Sequence, residues 1–193
     1  LGSTGDFRGV FPIQVTQQAQ VVDRIVAFGR PFNYGLEAGS KPELVIALAH
    51  RLSREALIVC NGIKDEEFIR LAILSRKIGF NTVIVLESPK EVDTVVAVAQ
   101  ELDVDPMLGV RVKLTNQISG KWEKSSGDRS AFGLNTDQLV AMVDKLRNAG
   151  LLHCLNLQHS HLGSQVPDVN DVRRAVTEAC RFYTELTQEG VPL

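Results

Sequence analysis

Short runs of β-branched and apolar residues recur roughly every 25 residues, at 10–15, 32–36, 56–60, 82–86, 107–112 and 155–161. Each has the length and composition of a strand. Between them lie longer stretches whose apolar residues fall three and four apart, as in Phe68, Leu71, Ala72, Ser75 and Ile78, or Val92, Val95, Val96 and Ala99. That spacing puts them on one face of a helix. Strands alternating with helices predict parallel pairing, because each crossover needs a dozen or more residues and a helix supplies them.

Boundary residues fit the same scheme. Ser40-Lys41-Pro42-Glu43 predicts an N-cap with a carboxylate three positions on, in the capping-box arrangement. Ser88-Pro89 predicts a helix with proline at its first position, Asn135-Thr136-Asp137 caps another, and Gly79 and Gly150 stand where helices stop. Six strand-helix units suit either an open doubly wound sheet or a parallel (β/α)8 TIM-type barrel lacking its last units. A doubly wound sheet usually carries a glycine-rich turn after its first strand, and Val15-Thr16-Gln17-Gln18 has no glycine. The α/β barrel is therefore favoured. The end at Gly190-Val191-Pro192-Leu193 reads as a turn and the opening of a seventh strand, so residues 1–193 are expected to be a partial barrel domain. One long connection, 115–129, rich in Ser, Gly and Lys, is expected to be an active-site loop, with a surface excursion as the alternative.

Composition narrows the partners. The 193 residues are 44% hydrophobic and 23% charged with a net charge of -2, enough for one substantial core and without the basic stripe that nucleic acid requires. No apolar run approaches the roughly 18 to 20 residues of a membrane helix, and no basic-then-apolar leader opens the chain. A cytoplasmic protein is expected. Cys60, Cys154 and Cys180 are odd in number and lack metal-type spacing, which predicts buried free thiols rather than disulfides or a zinc knuckle.

Barrel enzymes carry their chemistry at the carboxyl ends of the strands. Here those ends read Gln14-Val15-Thr16-Gln17, Glu37-Ala38-Gly39-Ser40, Cys60-Asn61-Gly62, Arg111 with Lys113, and His159 through Gln165. Alternation along a strand places Leu155, Leu157, His159 and His161 on one face, and Arg111 with Lys113 on another. A His-x-His pair suits a metal-dependent barrel hydrolase, although further ligands would have to come from His50, predicted mid-helix, or His153, at a strand start. The ordinary reading of His159 is a hydrogen-bonded core residue. His161, beside a glycine-serine turn, is the stronger functional candidate.

At these strand ends the sequence resembles the biosynthetic arginine decarboxylases. The blocks that carry the resemblance, in order, are Gly9-Val10-Phe11-Pro12-Ile13 with Val15; Leu36-Glu37-Ala38-Gly39-Ser40-Lys41 with Glu43-Leu44; Val59-Cys60-Asn61-Gly62 with Lys64-Asp65; Leu108-Gly109-Val110-Arg111; Gly120-Lys121-Trp122; Phe132-Gly133-Leu134; and His159 through Gln165. The resemblance implies an alanine-racemase-type barrel using pyridoxal phosphate, with arginine as substrate and agmatine and carbon dioxide as products of a lyase in polyamine synthesis. It implies that His161 stacks on the cofactor ring, Ser164 helps bind the phosphate, Arg111 lies near the site, and Glu37 sits beside the cofactor lysine. It also implies a glycine-rich phosphate loop and a β domain after residue 193, and a homo-oligomer whose sites are completed by a partner subunit. Mg2+ is left open for the full-length family.

The departures are chemical. Where the family has Pro-Ile-Lys-Val-Asn, this chain has Pro12-Ile13-Gln14-Val15-Thr16, so Gln14 replaces the Schiff-base lysine. An amide nitrogen's lone pair is delocalised into its carbonyl and does not attack an aldehyde as an amine does. Ala131 stands for a family lysine and Ser160 for an aromatic, while Asn156, Gln158 and Ser160 put polar groups on a strand face that ordinarily packs apolar against helices. Lys113 is the nearest candidate to replace the missing amine. Three readings follow: an impaired arginine decarboxylase fragment, a non-catalytic paralogue that binds the cofactor or regulates an active subunit, and a metal-dependent hydrolase using His159 and His161.

Overall fold

The computed structural model describes residues 7–114, 133–163 and 166–193. Strands β1 (Val10–Pro12), β2 (Gly35–Ala38), β3 (Leu57–Cys60), β4 (Asn81–Leu86), β5 (Met107–Arg111) and β6 (Leu155–His159) follow one another in that order in a single sheet. They alternate with α1 (Ala19–Gly29), α2 (Lys41–Ala49), α3 (Glu66–Lys77), α4 (Pro89–Leu102), α5 (Thr136–Asn148) and α6 (Val169–Gln188). Two compact units, Leu1–Ile84 and Val85–Leu193, divide the chain within β4.

In the first unit β1 to β4 pair in parallel, with Phe11 opposite Leu36, Leu36 opposite Ile58, and Ile58 opposite Thr82. Gly35 has no room for a side chain, since a Cβ there would lie 2.2 Å from the Leu57 carbonyl oxygen. Buried residues on α3 are Phe68, Ile69, Ala72, Ile73 and Ser75, and Ser75 Oγ meets Thr82 Oγ1 of β4 at 2.5 Å. Ile78, expected on that face, is exposed because the helix has already ended at Lys77. Gly79 follows in the left-handed region at φ +94°, the conformation that stops the helix.

Two strands are displaced from the expected positions. The run at 10–15 leaves the sheet after Pro12, which has no N–H for the ladder, and Ile13–Val15 turns into a short 3-10 helix. The run at 32–36 is displaced because Arg30–Phe32 makes another 3-10 turn that closes on Asn33 in the left-handed region, leaving β2 to begin at Gly35. His50 ends α2 instead of sitting within it, and its Nδ1 lies 3.0 Å from Asp23.

In the second unit β5 and β6 pair in parallel from Leu108 opposite Leu155 to Arg111 opposite His159, with an irregularity between Leu108 and Gly109. A Cβ on Gly109 would come within 2.8 Å of Leu157 Cδ2, so glycine lets the two strands approach. The capping box expected at Asn135 is complete: its side chain accepts from Gln138 N, and Gln138 returns a bond to the Asn135 backbone. Pairing in the last run stops at His159, short of the expected 161. On its outer side Gln158 donates to the Ala179 carbonyl of α6 and Asn156 to the His153 carbonyl, so these polar groups do find partners. Gln158 Oε1 is buried and has none among the described residues. Cys60 and Cys154 are buried as expected, but Cys180 of α6 is exposed. Among the described residues no helix is long and apolar enough to cross a membrane.

Candidate functional site

The polar groups at the carboxyl ends of β1, β2 and β3 are organised around one buried carboxylate. Glu43, in the first turn of α2, accepts from Gly39 N at 2.7 Å and from Gln17 Nε2 at 3.3 Å. The Ser40 side chain makes no cap bond, so the expected capping box is modified: Glu43 reaches past the N-cap to the residue before it. Gly62, at φ +78°, brings the β3 turn against the β2 turn, where a Cβ would lie 2.9 Å from the Gly39 carbonyl oxygen. Asn61 N donates to the Ala38 carbonyl at 3.1 Å, and its Oδ1 is buried with no partner among the described residues. Lys64 is buried and donates to the Gly62 carbonyl.

Gln14 stands exposed in the 3-10 turn that follows β1, directly after the fully buried Ile13. Glu37 lies half-buried in β2, opposite Pro12 on one side and Val59 on the other. Its charge reaches Cys60: burial pushes that thiol up to about 12, Lys64 pulls it down and Glu37 raises it further.

At the end of β4 and β5 a second cluster forms. Glu87, fully buried, holds Arg111 through Oε2 to Nη1 at 2.9 Å. Its backbone N–H donates to Glu91 Oε2 at 2.8 Å and its carbonyl accepts from Gly133 N at 3.1 Å. Gly133 sits at φ +90°, where a Cβ would press on the stems of both Arg111 and Lys113. Those two side chains therefore share a face, as alternation predicts. His159, half-buried in β6, lies opposite Arg111 in register, and its carbonyl accepts from Val112 N. His161 follows the strand at a partly exposed position. Partial desolvation and the Arg111 guanidinium hold its pKa below the ordinary histidine value, opposed by Glu87. A neutral imidazole beside a fixed cation suits contact with a planar, anionic ligand.

Ser164, Ala131, Phe132, the Gly120-Lys121-Trp122 block and the loop at 115–129 lie outside the described residues. His159 and His161 do not belong to a group of three donors within reach of one ion among the described residues. Glu87 and Glu91 were missed in the sequence, yet a signal existed: Ser88 and Glu91 repeat the spacing of Ser40 and Glu43, and in both places the glutamate takes the N–H of the residue before the N-cap.

The family described as the pyridoxal binding domain of the pyridoxal-dependent decarboxylases matches residues 3–193. A biosynthetic arginine decarboxylase from Nostoc sp. is 48% identical over 186 residues, which is 96% of this chain and 27% of the relative. Arginine decarboxylase 1 from Oryza sativa subsp. japonica is 45% identical over 195 residues, 100% of this chain and 28% of the relative. The crystal structure of the biosynthetic arginine decarboxylase from Campylobacter jejuni matches with a TM-score of 0.87 at 34% identity, over 98% of this chain and 30% of that one. An alanine racemase from Clostridium difficile shares the fold, with a TM-score of 0.67 at 12% identity over 99% of this chain and 47% of that one. The chain thus spans less than a third of the length of the arginine decarboxylases it matches.

Proposed function

Because the chain belongs to the pyridoxal binding domain family of the pyridoxal-dependent decarboxylases, we propose that it is the barrel portion of an arginine decarboxylase-type protein whose covalent cofactor anchor is lost at Gln14. The parent activity in this reading converts arginine to agmatine and carbon dioxide in the cytoplasm, in a homo-oligomer. Pyridoxal phosphate, when bound, supplies the electron withdrawal that takes up the pair left as carbon dioxide departs. The residues present fit that group in part. His161, held toward its neutral form, offers a ring face; Arg111, fixed by Glu87, offers a positioned cation. Position 14 does not fit, because a carboxamide makes no covalent link to an aldehyde carbon.

One observation supports the reading: Gln14 occupies the exposed turn at the carboxyl end of β1, within the Pro12-Ile13-Gln14-Val15 block onto which the resemblance maps the family's lysine. Binding is then reversible and turnover is absent. Pyridoxal phosphate is expected to bind the purified chain and to leave on dialysis, and arginine is expected to release no carbon dioxide above the buffer rate. Cofactor that resists dialysis, or release of carbon dioxide from arginine at an enzyme-like rate, would overturn the reading.

A further inference from the structure

At the opposite end of β5 and β6 three donors of different chemistry meet. Asp105 lies in the connection between α4 and β5, while His153 and Cys154 form the 3-10 turn Leu152–Cys154 that leads into β6. Parallel pairing of Leu108 with Leu155 brings the amino ends of the two strands side by side, and the residues just before them with it. His153 Nε2 lies 3.0 Å from Asp105 Oδ2 and 3.5 Å from Cys154 Sγ, and the three donor atoms are all within 4.8 Å of one another. The turn is held from below by Asn156, whose Nδ2 donates to the His153 carbonyl at 3.0 Å.

Nε2, which carries at most one proton, stands between the Asp105 carboxylate and the Cys154 thiol, so three ligand-type atoms face one another. A cation at the centre satisfies all three. With zinc bonds of about 2.0 to 2.1 Å to nitrogen and oxygen and about 2.3 Å to sulfur, tetrahedral geometry separates neighbouring donors by about 3.3 to 3.6 Å. The His153–Asp105 and His153–Cys154 separations lie close to those values, and the third pair is within 4.8 Å. His153 and Asp105 are exposed, leaving an entry path, whereas Cys154 is buried and anchors the site from the protein side.

We propose that Asp105, His153 and Cys154 form a binding site for a borderline-soft divalent cation of the zinc type, with water as the fourth ligand. This departs from the expectation that the cysteines have no metal role. That expectation looked for spacing along the chain, whereas the third ligand is brought in by strand pairing. On binding, the thiol loses its proton to solvent and the metal-sulfur bond replaces it. Nitrogen and sulfur donors disfavour Mg2+, a hard ion that takes oxygen. The site clips the amino ends of β5 and β6 together, so its occupancy stabilises the fold without touching the residues at the carboxyl ends.

Untagged protein titrated with Co2+ tests this, because only a thiolate ligand gives the intense near-ultraviolet charge-transfer band. A saturable band at one equivalent is expected, abolished by Zn2+ but not by Mg2+. Cys154→Ser is expected to lose the band, Cys180→Ser to keep it, and Asp105→Asn to shift the isotherm to higher cobalt concentration. Because Cys154 is buried, the exposed substitution His153→Gln provides the parallel loss in a chain whose circular dichroism stays native. No band in the wild type, a band that survives either Cys154→Ser or His153→Gln, or one that disappears with Cys180→Ser would overturn the site.

Discussion

Glu87 holds Arg111 across 2.9 Å with its own carboxylate wholly withdrawn from solvent, while the guanidinium keeps a narrow exposure. The asymmetry makes a prediction. Arg111→Met removes the cation paired with a buried carboxylate and is expected to cost about 3 kcal/mol, whereas Glu87→Gln keeps a hydrogen-bond acceptor beside a guanidinium that can still reach water and is expected to cost about 1 to 2 kcal/mol. Urea unfolding of the two variants checks the order. Equal costs, or the reverse order, would mean that Glu87 is not the partner that depends on the pair.

The same guanidinium adds to the effect of desolvation on His161. Its pKa lies below the ordinary value in the folded chain, chiefly from desolvation and next from Arg111. A histidine with a depressed folded pKa binds fewer protons folded than unfolded, so its contribution is present above the unfolded value and is lost as pH falls from there through the folded value. NMR titration of the ring is expected to show the depressed value in the wild type and a rise in Arg111→Met. An unchanged midpoint would remove Arg111 as a cause.

Cys60 is expected to be inert. With its pKa pushed up to about 12, its thiolate fraction at pH 8 is about one in ten thousand. A disulfide reagent is expected to modify exposed Cys180 first and Cys60 only in denaturant, as peptide mapping would show. Modification of Cys60 in the folded chain at a rate like that of Cys180 would contradict its placement.

Capping differs between two helices that look alike in sequence. Asn135→Ala removes the side chain that accepts from Gln138 N and is expected to cost about 1 kcal/mol. Ser40→Ala removes no cap bond, because Glu43 takes the backbone N–H instead, and is expected to stay within about 0.5 kcal/mol. Thermal or urea unfolding distinguishes them.

The alternation of strands and helices was legible because period and spacing are local properties. So were Asn135, Gly79 and Gly150, whose roles at helix ends depend on neighbouring residues only. What escaped were features set by partners distant in the chain. Pro12 ended a strand whose apolar pattern ran on to Val15, since the ladder needs an N–H that hydropathy does not register. Glu87 looked like one charged residue among many until β5 brought Arg111 to it 24 positions later. His153 and Cys154 looked unrelated to Asp105 for the same reason. Arg111, His161, Glu37 and Gln14 stand at or next to the carboxyl ends of β5, β6, β2 and β1, where strand-helix alternation alone places them.

The proposed loss of the covalent anchor is tested most directly by borohydride trapping. Wild type and Gln14→Lys are incubated with pyridoxal phosphate, reduced, digested and mapped by mass spectrometry. The account predicts a reduced phosphopyridoxyl adduct on residue 14 of the variant, and no stoichiometric adduct on any lysine of the wild type, Lys113 included. A variant without the adduct, or a wild type modified stoichiometrically at Lys113, would contradict it.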